Sequence, residues 1–519
     1  MKRYSMILSQ LALSVALFTG ISCTDDFVEI NARLDGVTEE QMKGDNFKVG
    51  SSYPRLEALV VPGDASGYFQ HWENLCGDVY GRFMMSNVKW RGGNLSEFSV
   101  QHNGWIDNCF NLITDFYPAW RDIVEATRGE GVNYAWAVIL RVSVMHRLTD
   151  TFGPIPYSQV SSGNLFVGYD SQEQVYKTML KELTDAINVL TVYHNSNPSA
   201  TPMKAYDRVY AGDFGKWIKY ANSLKLRMAM RMRFVEPELA KQYAEEAVTH
   251  PLGVIMENAD NAAYTPTGNN MLWLVSMGWG DTKVCADIAS YMEGYKDPRS
   301  EKYFTTSTFD TKGFKGIRAA TDASDAAYAK YSMPNVQQKD KTLWMTAAEI
   351  TLLRAEGALL NWEMKGTAQE LYEKGVSLSF EQWGAGSATG YLSDATSLPA
   401  DYLDPNNSAE STPAVSTITI KWEEGDSDEK KLERIITQKW IALWPLGFEG
   451  WCEHRRTGYP KFFDLVRPVQ SVYNGMKVAN RMPFARAEYD NNPENIQKAV
   501  QLLGGIDNFA TKLWWQSKK

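Results

Sequence analysis

Long hydrophobic runs are missing after residue 21. No later stretch approaches the roughly 20 consecutive apolar residues of a membrane-crossing helix, so no helical span is expected in the body of the chain. Basic blocks are missing too. The formal net charge is -9 and the pI near 5.4, whereas nucleic acid phosphates demand a basic surface, so that class of partner is excluded. Cysteine is scarce, 5 residues in 519, and none falls in CxxC spacing, which argues against a zinc ribbon or a dithiol redox centre. Cys76, Cys109, Cys285 and Cys452 are widely scattered, equally suited to disulfides of unknown pairing and to small buried thiols. The 6 histidines, at 71, 102, 146, 194, 250 and 454, are too dispersed for a metal cluster. HExxH, GxSxG, GxGxxG and P-loop patterns are absent, so neither a cofactor nor a metal is expected and catalysis has no motif to stand on. Carboxylates are plentiful, which keeps open a glycoside hydrolase working with two of them roughly 5 to 10 Å apart.

What is present begins at the N-terminus. Lys2 and Arg3 precede an uncharged apolar stretch from Met6 to Ile21, the pattern of a secretory signal peptide spanning residues 1–22. Cys23 follows the small residues Gly20 and Ser22, as in a lipoprotein box, although Gly20 stands where such boxes usually carry Leu. Cleavage before Cys23 and acylation of its thiol would anchor the chain by lipid rather than by a span; an ordinary cleaved signal with an incidental cysteine is the alternative. Residues 23–47, opening with Thr24, Asp25 and Asp26, have too little apolar surface to pack and suit a tether.

The remaining residues, 48–519, read as a single globular body, since 44% hydrophobic and 22% charged residues are ordinary for a folded chain. Helical periodicity dominates from about residue 118 to 250. Ser171 with Gln174 forms a capping box ahead of Val175, Met179, Leu183, Ile187 and Leu190. A second helix starts after Asp213, with Trp217, Ile218, Ala221, Leu224 and Met228 as its apolar stripe. The segment from Ala135 to Leu148 is similar and is broken by Thr151-Phe-Gly-Pro-Ile-Pro156. Residues 251–342, interrupted by Gly and Pro, read as loop-rich, and 384–428 as a polar insertion. Between them Thr346 with Glu349 and Thr367 with Glu370 cap two helices joined at Lys365-Gly366, a hairpin of about the length of one tetratricopeptide unit. A last amphipathic helix carries Leu432, Ile435, Ile436, Trp440 and Leu443 and ends at Pro445. The tail beyond reads as irregular, with Arg455, Arg456, Arg467, Arg481 and Arg486 expected mostly as buried forks on loop carbonyls and carboxylates.

The phrases Asp150-Thr-Phe-Gly-Pro-Ile-Pro-Tyr157, Trp217-Ile-Lys-Tyr-Ala-Asn-Ser-Leu-Lys-Leu-Arg227 and Ala348-Glu-Ile-Thr-Leu-Leu-Arg-Ala-Glu356 resemble the SusD/RagB (SusD-like) family of outer-membrane nutrient-binding lipoproteins. The resemblance continues through Ile436-Thr-Gln-Lys-Trp440, Glu449-Gly-Trp-Cys-Glu-His-Arg-Arg-Thr-Gly-Tyr-Pro460 and Gly505-Ile-Asp-Asn-Phe-Ala-Thr-Lys-Leu-Trp-Trp515. It implies a mainly all-α fold, with a tetratricopeptide-like helix-pair scaffold and an irregular, loop-rich ligand-binding part. It also implies a non-catalytic surface lipoprotein that binds an oligosaccharide or polysaccharide and hands it to a SusC-like TonB-dependent transporter, for polysaccharide utilisation. The acidic residues after Cys23 resemble the family's surface-export signal. The alternative is a peptide-binding or protein-adaptor lipoprotein that uses the tetratricopeptide-like surface.

The composition agrees with a sugar ligand, because sugar rings pack on aromatic faces while their hydroxyls bond to polar side chains. Of the 17 Trp and 26 Tyr, Trp120, Trp217 and Trp440 fall on apolar helix faces and are expected in the core. Trp273 and Trp279, in a Gly-flanked loop, and Trp90, with Arg91 and Asn94 beside Gly92-Gly93, are the candidates for a stacking platform, with Tyr80 and Asn269 as further candidates. Ligand contact and loop packing are both open for them. The run Tyr402-Leu-Asp-Pro-Asn-Asn407 offers oxygens to a hard cation, but lacks the spacing of a calcium loop and reads as a turn.

Overall fold

The computed structural model describes residues 46–86, 95–99, 103–160, 166–467 and 469–518. Cys23, Trp90, Arg91 and Asn94 lie outside these described residues. The chain divides into two units, Met1–Lys48 and Val49–Lys519. Asn46–Lys48 are the described part of the first, and the second is the helical body.

The long helices of that body are α1 Asn103–Thr127, α2 Gly131–Phe152, α3 Gln172–Ser196, α4 Phe214–Met232, α5 Pro237–Thr249, α6 Ala286–Gly294, α7 Ala347–Leu359, α8 Ala368–Trp383, α9 Asp428–Ala442, α10 Gly447–Thr457 and α11 Pro493–Leu503. The starts follow side-chain chemistry. Ser171, Asp213, Thr346 and Thr367 each accept a bond from the backbone N–H three residues on, filling one of the donors that a helix start leaves unpaired. At Thr367 the box is complete, with Glu370 returning to the Thr367 backbone. α2 stops where Gly153 takes φ +87, ahead of Pro154.

Short connections fold α1 on α2, α4 on α5 and α7 on α8 into hairpins. α3 packs on both α2 and α4, α4 contacts α7, and α7 and α8 both contact α9. The result is the mainly helical scaffold of tetratricopeptide-like pairs. α4 lies at its centre, and accordingly nearly all of its residues are buried. Trp217 and Trp440 are fully buried and Trp120 nearly so. The four body cysteines are free, buried thiols.

The structure departs from the sequence reading in four places. α1 begins at Asn103 rather than near 118, because the helix runs through Pro118, a residue that normally opens one. The stretch 251–342 is less irregular than expected. It holds α6 and contributes to two antiparallel ribbons, β1 Met84–Met85 with β3 Lys283–Val284 and β2 Ala262–Tyr264 with β4 Thr342–Met345. Phe69–Asp78, to which the sequence reading assigned no element, forms a buried π-helical segment. The tail is not irregular after Pro445, since α10 starts two residues later and packs on that π-helical segment.

A buried charge network ties these elements together. Arg227 holds Glu349 through Nε and Nη2, both at 2.7 Å, and reaches Glu449 at 3.4 Å. Arg231 donates to Glu449 at 2.6 Å and lies 3.6 Å from Asp150. Arg456 clamps Glu356 at 2.6 and 2.7 Å, Glu356 also meets Arg233 at 2.6 Å, and Glu453 takes Arg456 at 2.5 Å and Lys439 at 3.2 Å. Asp150 further accepts from Tyr176 at 2.6 Å and from the Trp515 indole at 2.8 Å. Every family-like phrase in the sequence supplies a member, so those phrases encode the core. Paired, hydrogen-bonded charges are what a low-dielectric interior tolerates.

His146 sits against this network with Nδ1 bonded to the Val142 carbonyl at 2.9 Å and Nε2 4.0 Å from Glu449. Burial pushes its pKa down to about 3 from an ordinary 6.5, against the opposing pull of Glu449. The unfolded imidazole takes up its proton near 6.5 while the folded one stays neutral, so acidification from pH 7 to 5 favours unfolding through this residue. Replacement of His146 by Gln is expected to shrink the stability lost between pH 7 and pH 5 by about 2 kcal/mol. Urea titrations of both proteins at the two pH values measure it, and equal losses would refute it.

Candidate functional site

The β1–β3 ribbon joins the described segments that flank the two Gly-rich stretches singled out in the sequence. Met84 pairs with Val284 and Met85 with Lys283, so the segment leaving β1 toward residue 87 starts beside the segment that enters β3 from Trp279. The first loop returns at the turn Leu95–Glu97, where Arg467 holds the Glu97 carboxylate and also donates to the Ala320 and Thr321 carbonyls at 2.8 and 2.9 Å.

The second loop is built by Asn270. Its Oδ1 caps the Trp273 N–H at 3.0 Å, its Nδ2 donates to the Asp340 carbonyl at 3.1 Å, and its own N–H reaches the Gln338 carbonyl at 2.8 Å. The turn Met271–Trp273 then passes into a π-helical turn, Leu274–Gly278. Gly280 at φ +78 reverses the chain toward β3, a conformation that glycine adopts without strain. The outcome is an exposed apolar edge, with Trp279 47% and Met277 44% accessible. Trp273 is half-buried. Neither tryptophan stacks on another aromatic ring among the described residues. A large ring half in water with no aromatic neighbour, as Trp279 is, is available to a ligand.

Polar groups flank that edge. Asp281 accepts from Gln70 Nε2 at 2.9 Å, and its backbone carbonyl accepts from Tyr328 Oη at 2.8 Å. Partial burial raises the Asp281 carboxyl above its ordinary range, opposed by the Gln70 bond. Next to Gln70, His71 stacks on Trp105 with centroids 5.5 Å apart and its Nδ1 lies 2.9 Å from Asn108 Nδ2. Burial pushes the His71 pKa down to about 4, so the ring is neutral at physiological pH. Gln70, His71, Trp105, Asn108 and Asp281 are all partly exposed. These amides, this carboxylate and these rings are the chemistry that sugar hydroxyls and ring faces require.

The structure thus brings Trp273 and Trp279 to one edge. Asn269 is half-buried on the same loop and accepts from Gln338 at 2.9 Å. Tyr80 is a correction. It is 1% exposed, 6.2 Å from the Phe98 ring and 5.2 Å from Trp451, because the stretch before the Gly-rich loop continues the buried π-helical segment. It packs the core and cannot meet a ligand. The Tyr402–Asn407 run is a turn whose Asp404 carboxylate accepts from the Asn406 and Asn407 N–H groups at 2.8 and 2.7 Å and from the Tyr331 and Tyr402 hydroxyls at 3.0 and 2.8 Å. Sequence reasoning missed Gln70, His71, Trp105, Asn108 and Asp281, although the spacing of Trp105 and Asn108 on one helical face was a usable signal.

Among solved structures, a SusD homolog from Bacteroides uniformis shares 41% identity, covering 91% of this chain and 100% of its own, with a TM-score of 0.84. A chitin-binding SusD homolog from Flavobacterium johnsoniae shares 35%, covering 91% and 99%, with a TM-score of 0.87. A susD homolog from Bacteroides thetaiotaomicron shares 36% over the same shares at a TM-score of 0.84. No curated protein sequence matches. The SusD-like family, described as SusD and RagB outer membrane lipoproteins, matches residues 29–516. Scaffold and matched length agree, and the chain belongs to the SusD-like family of outer membrane lipoproteins.

Proposed function

We propose that this protein is a non-catalytic, lipid-anchored receptor at the cell exterior that binds an oligosaccharide on the Trp279 edge and delivers it to a SusC-like TonB-dependent transporter. The anchor is Cys23, with residues 1–22 removed as a signal peptide and 23–47 acting as the tether of a single body. The observation that carries the binding role is Trp279, exposed beside the Asp281–Gln70 pair on the segment that enters β3. Trp90, Arg91 and Asn94, from the other loop, complete the platform in this proposal. The chitin-binding relative makes N-acetylglucosamine oligomers the first ligands to try.

The test is calorimetric titration of the mature protein with a panel of neutral oligosaccharides, chitin oligomers included. Removing one stacking ring with Trp279→Ala is expected to weaken the best ligand at least about tenfold, equivalent to about 1.4 kcal/mol. Melting behaviour should change little, since about half of the residue, 47%, already faces solvent. An unaltered affinity would remove this edge from the site, and new reducing ends in the titrated glycan would overturn the non-catalytic reading.

A further inference from the structure

A second cavity, of about 480 Å³, lies between the end of α10 and the C-terminal segment, and none of its walls belongs to the Trp279 edge. Its charge is its distinguishing feature. Arg455, Arg456, Lys461, Lys477, Lys512 and Lys518 all line it, and no Asp or Glu does, in a chain whose net charge is -9. Arg456 is matched by Glu356 and Glu453, Lys477 by Asp464 at 3.2 Å and Lys518 by Glu429 at 2.6 Å, so the field that a concave wall focuses on whatever enters comes from Arg455, Lys461 and Lys512.

The floor explains why this is a site rather than a chance cluster. Arg455 is 8% exposed and has no carboxylate within 4 Å among the described residues. Its guanidinium donates to the Asp150 and Asn480 carbonyls at 2.7 and 2.9 Å and to Cys452 Sγ at 3.0 Å, and it lies 3.5 Å from the Trp451 ring centroid. Its Nε has no partner among the described residues. Arg455 bonds only to neutral groups and feels the Asp150 carboxylate from beyond ion-pair distance, whereas its neighbours Arg231 and Arg456 hold carboxylates directly. Nearby, His454 is fixed through Nδ1 to the Pro460 carbonyl at 2.9 Å and backed by the fully buried Phe462 ring at 4.3 Å, so a held, partly exposed imidazole forms a flat face of the same cavity. At the mouth Lys512 is exposed and makes no ion pair among the described residues, and Lys461 is exposed with its nearest carboxylate, Glu433, 3.6 Å away.

We infer that this cavity binds an acidic sugar residue, its carboxylate or sulfate drawn toward Arg455, Lys461 and Lys512 and its ring lying against the partly exposed His454. The volume falls in the range of small-molecule sites and exceeds what a bare inorganic anion fills. Bidentate Arg recognition of planar or tetrahedral oxyanions is the matching chemistry. The inference stands apart from the Trp279 edge, so either can fail alone.

The experiment is calorimetry on the full mature chain with three probes, glucuronate, sodium sulfate and glucose, in the parent, in a Lys461→Glu/Lys512→Glu double variant and in Trp279→Ala. Saturable glucuronate binding is expected, weakened at least about tenfold by the double variant, weakened also by added salt, and unchanged in Trp279→Ala. Both substituted lysines are exposed, so the melting curve serves as the folding control. Binding of sulfate but not glucuronate would reduce the site to an inorganic-anion pocket and overturn the sugar assignment. Equal binding of glucose, or an affinity indifferent to the two lysines, would overturn the anion site itself.

Discussion

Replacing Glu449 by Gln is expected to destabilise the folded chain by about 3 to 5 kcal/mol, the cost of leaving a buried charge without its partner. Glu449 is 4% exposed and joins two arginines from α4 to α10. Burial alone would raise its carboxyl, but Arg227 and Arg231 beside it outweigh that and hold it well below the usual carboxylate range. Glutamine keeps the shape and removes the charge. Arg227 would retain its two bonds to Glu349, whereas Arg231 would be left with Asp150 at 3.6 Å. The loss therefore falls on Arg231, and adding Arg231→Met to the variant is expected to recover part of it, because it removes the cation left without Glu449 while Asp150 keeps its bonds from Tyr176 and Trp515. Lys181→Ala, which breaks the exposed Lys181–Asp185 pair, is the control and should leave unfolding unchanged. Denaturant unfolding of the set decides the matter. A Glu449→Gln protein within about 1 kcal/mol of the parent would mean that the network is solvated or redundant.

Where structure depends on neighbours in sequence, it was legible. Ser171, Asp213, Thr346 and Thr367 announced their helices because a cap is a bond to a backbone group three residues away. The basic tail was legible in its chemistry, since Arg455 and Arg467 hold the loop carbonyls of Asn480 and Ala320 and Arg481 the last carbonyl of α2, although Arg486 is exposed and, among the described residues, pairs only with Asp490; its form was not legible. Gly447 and Gly450 lower helix propensity, and α10 exists because its tertiary contacts override that. The candidate edge divides in the same way. Glycines around Trp279 marked a loop with no apolar face to fill, and the ring is exposed. Tyr80 carried a similar local signature, yet its place is set by Phe98 and Trp451, the latter 371 positions downstream by their numbers. The Gln70–Asp281 bond spans 211 positions, and no local pattern records such a pairing.

The same long-range logic fixes what Gly81 can become. A Cβ built there would lie 2.2 Å from the Gly447 carbonyl oxygen and 2.8 Å from that of Gly77. The approach is reciprocal, since a Cβ on Gly447 would meet Asp78 Cα at 2.4 Å and one on Gly77 the Phe448 nitrogen at 2.9 Å. The obstacles are backbone atoms, which cannot rotate away, so the end of the π-helical segment and the start of α10 must separate by about an ångström to restore ordinary contact. That shift would pull the Gly81 carbonyl from the Trp440 indole, now at 2.7 Å, and would move the helix that carries Glu449, Glu453 and Arg456. Overpacking ordinarily costs about 1 to 3 kcal/mol. Because this instance also strains the charge network, Gly81→Ala is expected to lose about 3 kcal/mol or more, with reduced soluble yield. Gly104→Ala, on α1 with nothing within 4 Å of its Cβ, should be neutral or slightly stabilising, as helix propensity requires. If the two variants melted together, the close seam between these segments would not exist in solution, and the placement of α10 against the core would be wrong.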